Sequence, residues 1–213
     1  MDIRELRFFN PFAVTVETAN RLPHWQQEGA VYFLTFRLAD AIPKYLLDQW
    51  SAEREAWLAH HTLPWTAEVE AEYHRRFSGA MERWLDAGHG SCALRDAQCR
   101  AHVEEALRHF DGERYFQIAW VIMPNHVHVL FVLNGSFALE DIVHSWKRHS
   151  ALEIDRLLGR TGALWQKDYF DRLVRDGDHF ANCVCYIRRN PVKAKLSEGE
   201  YTLHESEMVK GIP

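Results

Sequence analysis

The sequence predicts an α+β fold, and two observations carry that prediction. Apolar, β-branched segments and segments of helical periodicity follow one another as strand, helix, strand, strand, helix, strand, helix. No internal repeat or low-complexity tract interrupts that order, and 47% hydrophobic with 26% charged residues is the composition of a globular chain. At 213 residues, a single domain over 1–213 with a helical insertion at about 44–90 fits better than two small domains.

The first strand is AVYFLTFRL, residues 30–38, rich in aromatic and β-branched residues and carrying one charge, which suits a central position. The insertion follows from Lys44 to about His89. Its two stretches, YLLDQWSAEREAWLAHH and TAEVEAEYHRRFSGAMERWL, have helical character, are divided by Pro64 and are closed by Gly88 and Gly90; they are expected to be acidic and largely exposed. In DAQCRAHVEEALRHF, residues 96–110, a helix places Cys99, Val103, Ala106, Leu107 and Phe110 on one face, with Asp96 as N-cap. YFQIAWVIMP and HVHVLFVL read as two strands broken at Met123-Pro124-Asn125, and the turn LNGS ends the second. The next helix runs through LEDIVHSWKRHSALEIDRLL to Gly159, and LWQKDYFDRLVRD holds a short strand. The last helix opens after Asp178 and is expected to end or kink at Pro191.

The net charge of −5 hides an uneven distribution. Residues 144–196 hold eleven Lys or Arg against six acids, so this part is basic while the remainder is acidic. No apolar run reaches the ~18 residues of a membrane span, and MDIRELRFFNPF lacks a signal-peptide layout, so a cytoplasmic protein is expected. Cys92, Cys99, Cys183 and Cys185 have neither disulfide-framework nor zinc-finger spacing and read as small, mostly buried apolar residues.

Two histidines interrupt the apolar strand 126–133. Strand side chains alternate, so His126 and His128 leave the same face roughly 6 to 7 Å apart and can share one metal ion. In YIRRN, residues 186–190, Tyr186 and Asn190 lie four residues apart on one helical face. A phenol beside a metal-ligand oxygen suits phosphodiester transesterification, in which the metal polarises the phosphate and the phenolate attacks. An unperturbed tyrosine titrates near ~10, so it needs cationic help. Arg188, Arg189, Lys193 and Lys195 lie close enough in sequence to give it. Tyr169 is a rival nucleophile without an Asn, Gln or Glu four residues on. Lys147 and Arg148 beside Trp146, Lys167 beside Trp165, and Arg172 are further candidate DNA contacts; Asp171 and Arg172 are alternatively candidates for orienting the site or for an ion pair.

The ordered set MPNHVHVLF, HSWKRHSA, LWQKDYFDRLVRD and CYIRRNPVKAKL resembles the REP-associated tyrosine transposases, a single-tyrosine branch of the HUH nucleases. That resemblance implies a ferredoxin-like antiparallel sheet with helices packed on it. It also implies a divalent cation, Mg²⁺ or Mn²⁺, on His126, His128 and Asn190, with Tyr186 as nucleophile. The implied partner is single-stranded DNA near a hairpin, cut to leave a 5′-phosphotyrosine link and a free 3′-hydroxyl, by a monomer or a homodimer. The 44–90 tract is longer and more acidic than a minimal member of that group needs. Two other readings stand beside this one: a DNA-hairpin-binding protein that no longer cuts, and a metallohydrolase whose nucleophile is water.

Overall fold

The computed structural model describes residues 5–13, 16–19, 23–62, 65–135 and 137–212. Pro64 and Ser136, assigned above to a helix break and a turn, lie outside the described residues. A short antiparallel hairpin, β1 (Val16–Ala19) and β2 (Pro23–Gln26), comes first and was not expected from the sequence. β3 (Val31–Arg37) then opens the main sheet, and the insertion follows as α1 (Lys44–His60), α2 (Ala67–Tyr73), a π-helical turn at His74–Ser78 and α3 (Gly79–Asp86). Next come α4 (Ala97–Arg108), β4 (Tyr115–Ile122), β5 (His126–Leu133), α5 (Leu139–Leu158), β6 (Phe170–Leu173), α6 (Gly177–Lys193) and β7 (Thr202–Glu205).

The sheet order is β6-β3-β5-β4-β7, with every neighbouring pair antiparallel. The path β3-α4-β4-β5-α5-β6 with the order β6-β3-β5-β4 is the ferredoxin-like arrangement, and β7 adds an edge. Alternation along the strands divides the core into two. Tyr32, Leu34, Phe36, Val127, Val129 and Phe131 face α4 and α5, where Val103, Leu107, Ile142 and Trp146 complete one cluster. Val31, Phe33, Leu130 and Val132 face the other way, onto Phe180, Cys183, Val184 and Ile187 of α6. A bulge in β4 between Gln117 and Ala119 lets Ile118 and Ala119 both join this second cluster. Each such buried aliphatic or aromatic side chain contributes about 1.5–3 kcal/mol.

Local chemistry fixes the helix ends. The Asp96 carboxylate accepts from the Gln98 and Cys99 N–H groups at 2.7 and 3.3 Å, the expected N-cap. α6 is capped by Asp176, which accepts from His179 N–H at 2.7 Å. It does not stop at Pro191 but runs to Lys193. Pro191 sits in the last turn, where its missing N–H forfeits one bond, and Ala194 N–H to the Asn190 carbonyl (3.0 Å) closes the end. Asn190 therefore stays one full turn from Tyr186.

The insertion is less exposed than its composition suggests. Trp57, Phe77, Met81 and Leu85 are buried. Trp57 stacks on His61 at 3.9 Å and meets Trp65 and Phe77 edge-on at 5.2 and 5.8 Å, a small aromatic core of its own. Its return to the sheet is pinned at Gly90, whose φ is +83°; a Cβ there would collide with the Asp40 carbonyl. Asp40 also accepts from Ser91 N–H at 2.7 Å.

Candidate functional site

Antiparallel pairing places Arg37 opposite His126, Thr35 opposite His128, and Phe33 opposite Arg172 of β6, so these side chains share one sheet face. α6 crosses that same face. His126 and His128 are 4.7 Å apart between ring centroids, and the Tyr186 ring stands edge-on to His128 at 5.1 Å and to Phe33 at 5.7 Å. Asn190 lies beside His126. Strand and helix thus bring His126, His128, Tyr186 and Asn190 together, although up to 64 residues separate them in sequence.

His126, His128 and Asn190 are 1%, 2% and 1% exposed, and that burial needs a chemical reason. The Nδ1 atoms of both imidazoles are occupied. His126 Nδ1 lies 2.7 Å from Asn125 Oδ1, and His128 Nδ1 lies 2.7 Å from Thr35 Oγ1. Asn125 donates through Nδ2 to the Leu85 carbonyl (3.1 Å) and to the His89 carbonyl (3.5 Å), so its Oδ1 is the acceptor and His126 Nδ1 carries the proton. The lone pair of His126 is then on Nε2. His128 Nε2 and both side-chain atoms of Asn190 are buried without a hydrogen-bond partner. Burial pushes the His126 pKa down to about 3 and holds His128 well below the usual range, with His126 adding to the depression at His128, so both rings are neutral at neutral pH. Two neutral imidazoles and an amide oxygen, with His128 Nε2 and the Asn190 amide short of partners, are a donor set that fits a divalent cation. Among the described residues no group of three or more His, Cys, Asp or Glu is placed to hold a metal ion, here or elsewhere, so a site at this cluster depends on the Asn190 amide as its third donor.

Tyr186 lines a cavity of about 250 Å³ with His128, Phe33, Thr35, Arg172 and insertion residues that include His74, Ser78 and Glu82. Burial raises the Tyr186 pKa far above the ordinary phenol range; Glu82 and Asp86 add to the rise, while Arg172 and Asn190 oppose it. In this state the phenol is neutral.

The candidate DNA contacts divide. Arg148, Lys167 and Arg189 are exposed, and exposed Arg172 lies over the Phe33 ring at 4.7 Å, beside the cavity. Lys193 pairs with Asp86 at 2.9 Å and Glu82 at 3.8 Å, tying α6 to α3. Lys147 Nζ donates to the carbonyls of Gln166 and Lys167, both at 2.7 Å. Arg188 holds Glu205 (2.9 Å) and the Ile212 carbonyl (2.6 Å). The donors of these last two residues are thus taken by internal partners. Tyr169 packs into the cluster facing α4 and α5, on the opposite side of the sheet from the histidines. Trp146 and Trp165 are buried in that cluster too. Cys99 and Cys183 are buried, Cys92 and Cys185 half-buried, and none of the four is in a disulfide.

Sequence reading missed Asn125, Thr35, Arg37, Glu82 and Asp86. Thr35 and Arg37 are polar interruptions two residues apart in an apolar strand, the same signal that marked His126 and His128.

Parts of the chain are similar to known proteins. Residues 93–190 match the family described as Transposase IS200 like, a span that begins just after the insertion and ends on Asn190. A Haemophilus influenzae protein that carries the name of a REP-associated tyrosine transposase is 27% identical over 104 residues, covering 44% of this chain and 57% of its own length. A solved structure of a REP-associated tyrosine transposase bound to a REP hairpin aligns over 84% of this chain and 77% of its own, at 16% identity and a TM-score of 0.47.

Proposed function

We propose, from the transposase IS200-like pattern of residues 93–190 and the chemistry of the cluster, that this chain is a metal-dependent nuclease and strand-transferase of single-stranded DNA at hairpins. The observation that carries the reading is the meeting of three buried side chains, His126, His128 and Asn190, with the Tyr186 ring, His128 Nε2 and the Asn190 amide having no hydrogen-bond partner. His126, His128 and Asn190 would hold Mg²⁺ or Mn²⁺, and imidazole donors favour Mn²⁺. Such a cation, when bound, polarises the scissile phosphate and offsets the charge that develops on it.

This chain's residues supply the rest. Asn125 and Thr35 orient the imidazoles through their Nδ1 atoms, leaving Nε2 available. Tyr186, on the rigid α6, loses its phenolic proton to solvent and attacks phosphorus. The O–P bond to tyrosine forms as the P–O3′ bond breaks, and the departing 3′-oxygen takes a proton to become a hydroxyl that can reverse the step. Burial, Glu82 and Asp86 disfavour the phenolate and Arg172 favours it; a cation held by His126, His128 and Asn190 would add to the effect of Arg172.

The test is a denaturing gel of purified protein with end-labelled hairpin DNA bearing single-stranded tails, with Mn²⁺ or EDTA, beside Tyr186→Phe. The expected result is a metal-dependent, denaturant-resistant adduct that Tyr186→Phe abolishes. Hairpin binding without an adduct would favour the non-cutting reading, and cleavage that persists in Tyr186→Phe would overturn Tyr186 as the nucleophile and revive hydrolysis by water.

A further inference from the structure

A second cavity of about 950 Å³ lies between the first half of α1 and the C-terminal end of β3, lined among others by Arg37, Lys44, Arg54, Trp50, Asp168 and Phe170. It shares Arg37, Trp50, Met81 and Phe170 with the cavity at Tyr186, so the two spaces meet across these four side chains. Arg37 is 6% exposed, yet its guanidinium is poorly satisfied. Its one hydrogen bond among the described residues is a long one, Nη1 to the Leu38 carbonyl at 3.5 Å, and Nε has no partner.

A buried, under-bonded guanidinium is unfavourable for the folded chain unless something absent from it completes the coordination. The local charges show what kind of group that is. Asp168 lies near both Arg37 and the Lys147 ammonium, one carboxylate between two cations. Asp48 is paired with Lys44 at 2.5 Å, and Asp40 accepts from Ser91 N–H at 2.7 Å. Arg54 donates to the Tyr73 hydroxyl at 2.7 Å, and Glu55 is exposed on α1. The unmet demand is therefore that of Arg37, for an acceptor that takes more than one N–H. A phosphodiester does so, and the half-buried Trp50 and Phe170 offer apolar ring surface for an adjoining base.

We propose that Arg37 is the phosphate-binding residue of a nucleotide subsite between the insertion and the sheet, seating the single-stranded DNA that leads to Tyr186. Arg37 stands opposite His126 in the strand register, so a phosphate held there belongs to the same strand as the one presented to the cluster. The insertion, through Trp50, forms one wall of that path. The identity of the strand rests on the function proposed above; the need of Arg37 for an anion does not.

The test measures binding in EDTA, on the Tyr186→Phe background so that no chemistry intervenes, with one hairpin made either blunt or with a single-stranded tail. The readout is the ratio of the two affinities in one preparation, which is independent of the folded fraction. In Arg37→Gln the preference for the tailed hairpin falls by about tenfold or more, the worth of a missing charge-assisted hydrogen bond. The salt slope for tailed DNA becomes shallower by about 0.7, the change expected when one phosphate of a single strand is no longer neutralised. Arg37→Lys keeps the charge without the fork and falls between. The melting temperature of Arg37→Gln stays level or rises, because an under-bonded buried charge has been removed. An unchanged ratio in Arg37→Gln, or no preference for the tail with Arg37 present, overturns the proposal. An inorganic phosphate thermal shift that disappears in Arg37→Gln while the DNA ratio is unchanged would assign the subsite to a free anion and overturn its DNA identity. The adduct gel is a separate readout: without an adduct but with a tail preference that depends on Arg37, the nuclease reading fails and the subsite stands.

Discussion

His126 and His128 are kept neutral by burial, and this has a pH signature. A histidine whose folded pKa lies below the unfolded value of about 6.5 binds fewer protons in the folded chain. Its contribution is complete above pH 6.5 and is lost as the pH falls, over a window reaching about 3 for His126. Metal-free protein should therefore lose stability between pH 7 and 5 with a slope approaching about 1.4 kcal/mol per pH unit per imidazole. Urea midpoints measure it: His126→Gln with His128→Gln should flatten the dependence, and an equal slope in both proteins would contradict the assignment. Asn125 makes the complementary case. Its amide, oriented by the Leu85 and His89 carbonyls, sets the proton on His126 Nδ1. Asn125→Ala should weaken Mn²⁺ binding by about 10- to 100-fold in calorimetry, the usual effect of removing such a partner. An unchanged affinity would show that the imidazole orients itself.

At the scale of elements, α3 is the part of the insertion that reaches the cluster. It presents Glu82 and Asp86 to Lys193 of α6, gives the Leu85 carbonyl to Asn125, and walls the Tyr186 cavity. The two acids favour the neutral phenol and hold a cation that faces the histidines. Glu82→Gln combined with Asp86→Asn should release Lys193 and ease ionisation of Tyr186. Adduct formation at neutral pH should then speed up, and the rise of its rate with pH should move to lower pH. Because Lys193 is about half exposed, the pairs themselves add little stability, about 0–1 kcal/mol each. A slower reaction with an unmoved pH profile would instead mean that the acids position DNA or metal. The π-helical turn at His74–Ser78 belongs to the same device, since it carries His74 and Ser78 to the cavity wall.

For the whole molecule, the strand and helix order was legible because burial follows periodicity: Val127, Val129 and Phe131 alternate with His126, His128 and Leu130 in the chain as in the sheet. Tyr186 and Asn190 were legible for the same reason, as an i, i+4 pair on α6. The short strands β1, β2 and β7 were not: VETA, PHWQ and TLHE lack the run of apolar and β-branched residues that marks the central strands. Nor were Arg37, Glu82 and Asp86 legible as site residues, because their roles arise from the docking of the insertion against the sheet. The buried role of Arg188 was hidden likewise, since its partners Glu205 and Ile212 lie beyond α6. The central claim is that one face of this sheet and one turn of α6 form a single reaction centre. Peptide mass spectrometry of a Mn²⁺ reaction with hairpin DNA tests it most directly. The expected product is a nucleotide on Tyr186, absent in His126→Ala with His128→Ala; a modified Tyr169, or cleaved DNA with every tyrosine unmodified, would show that the reaction runs elsewhere.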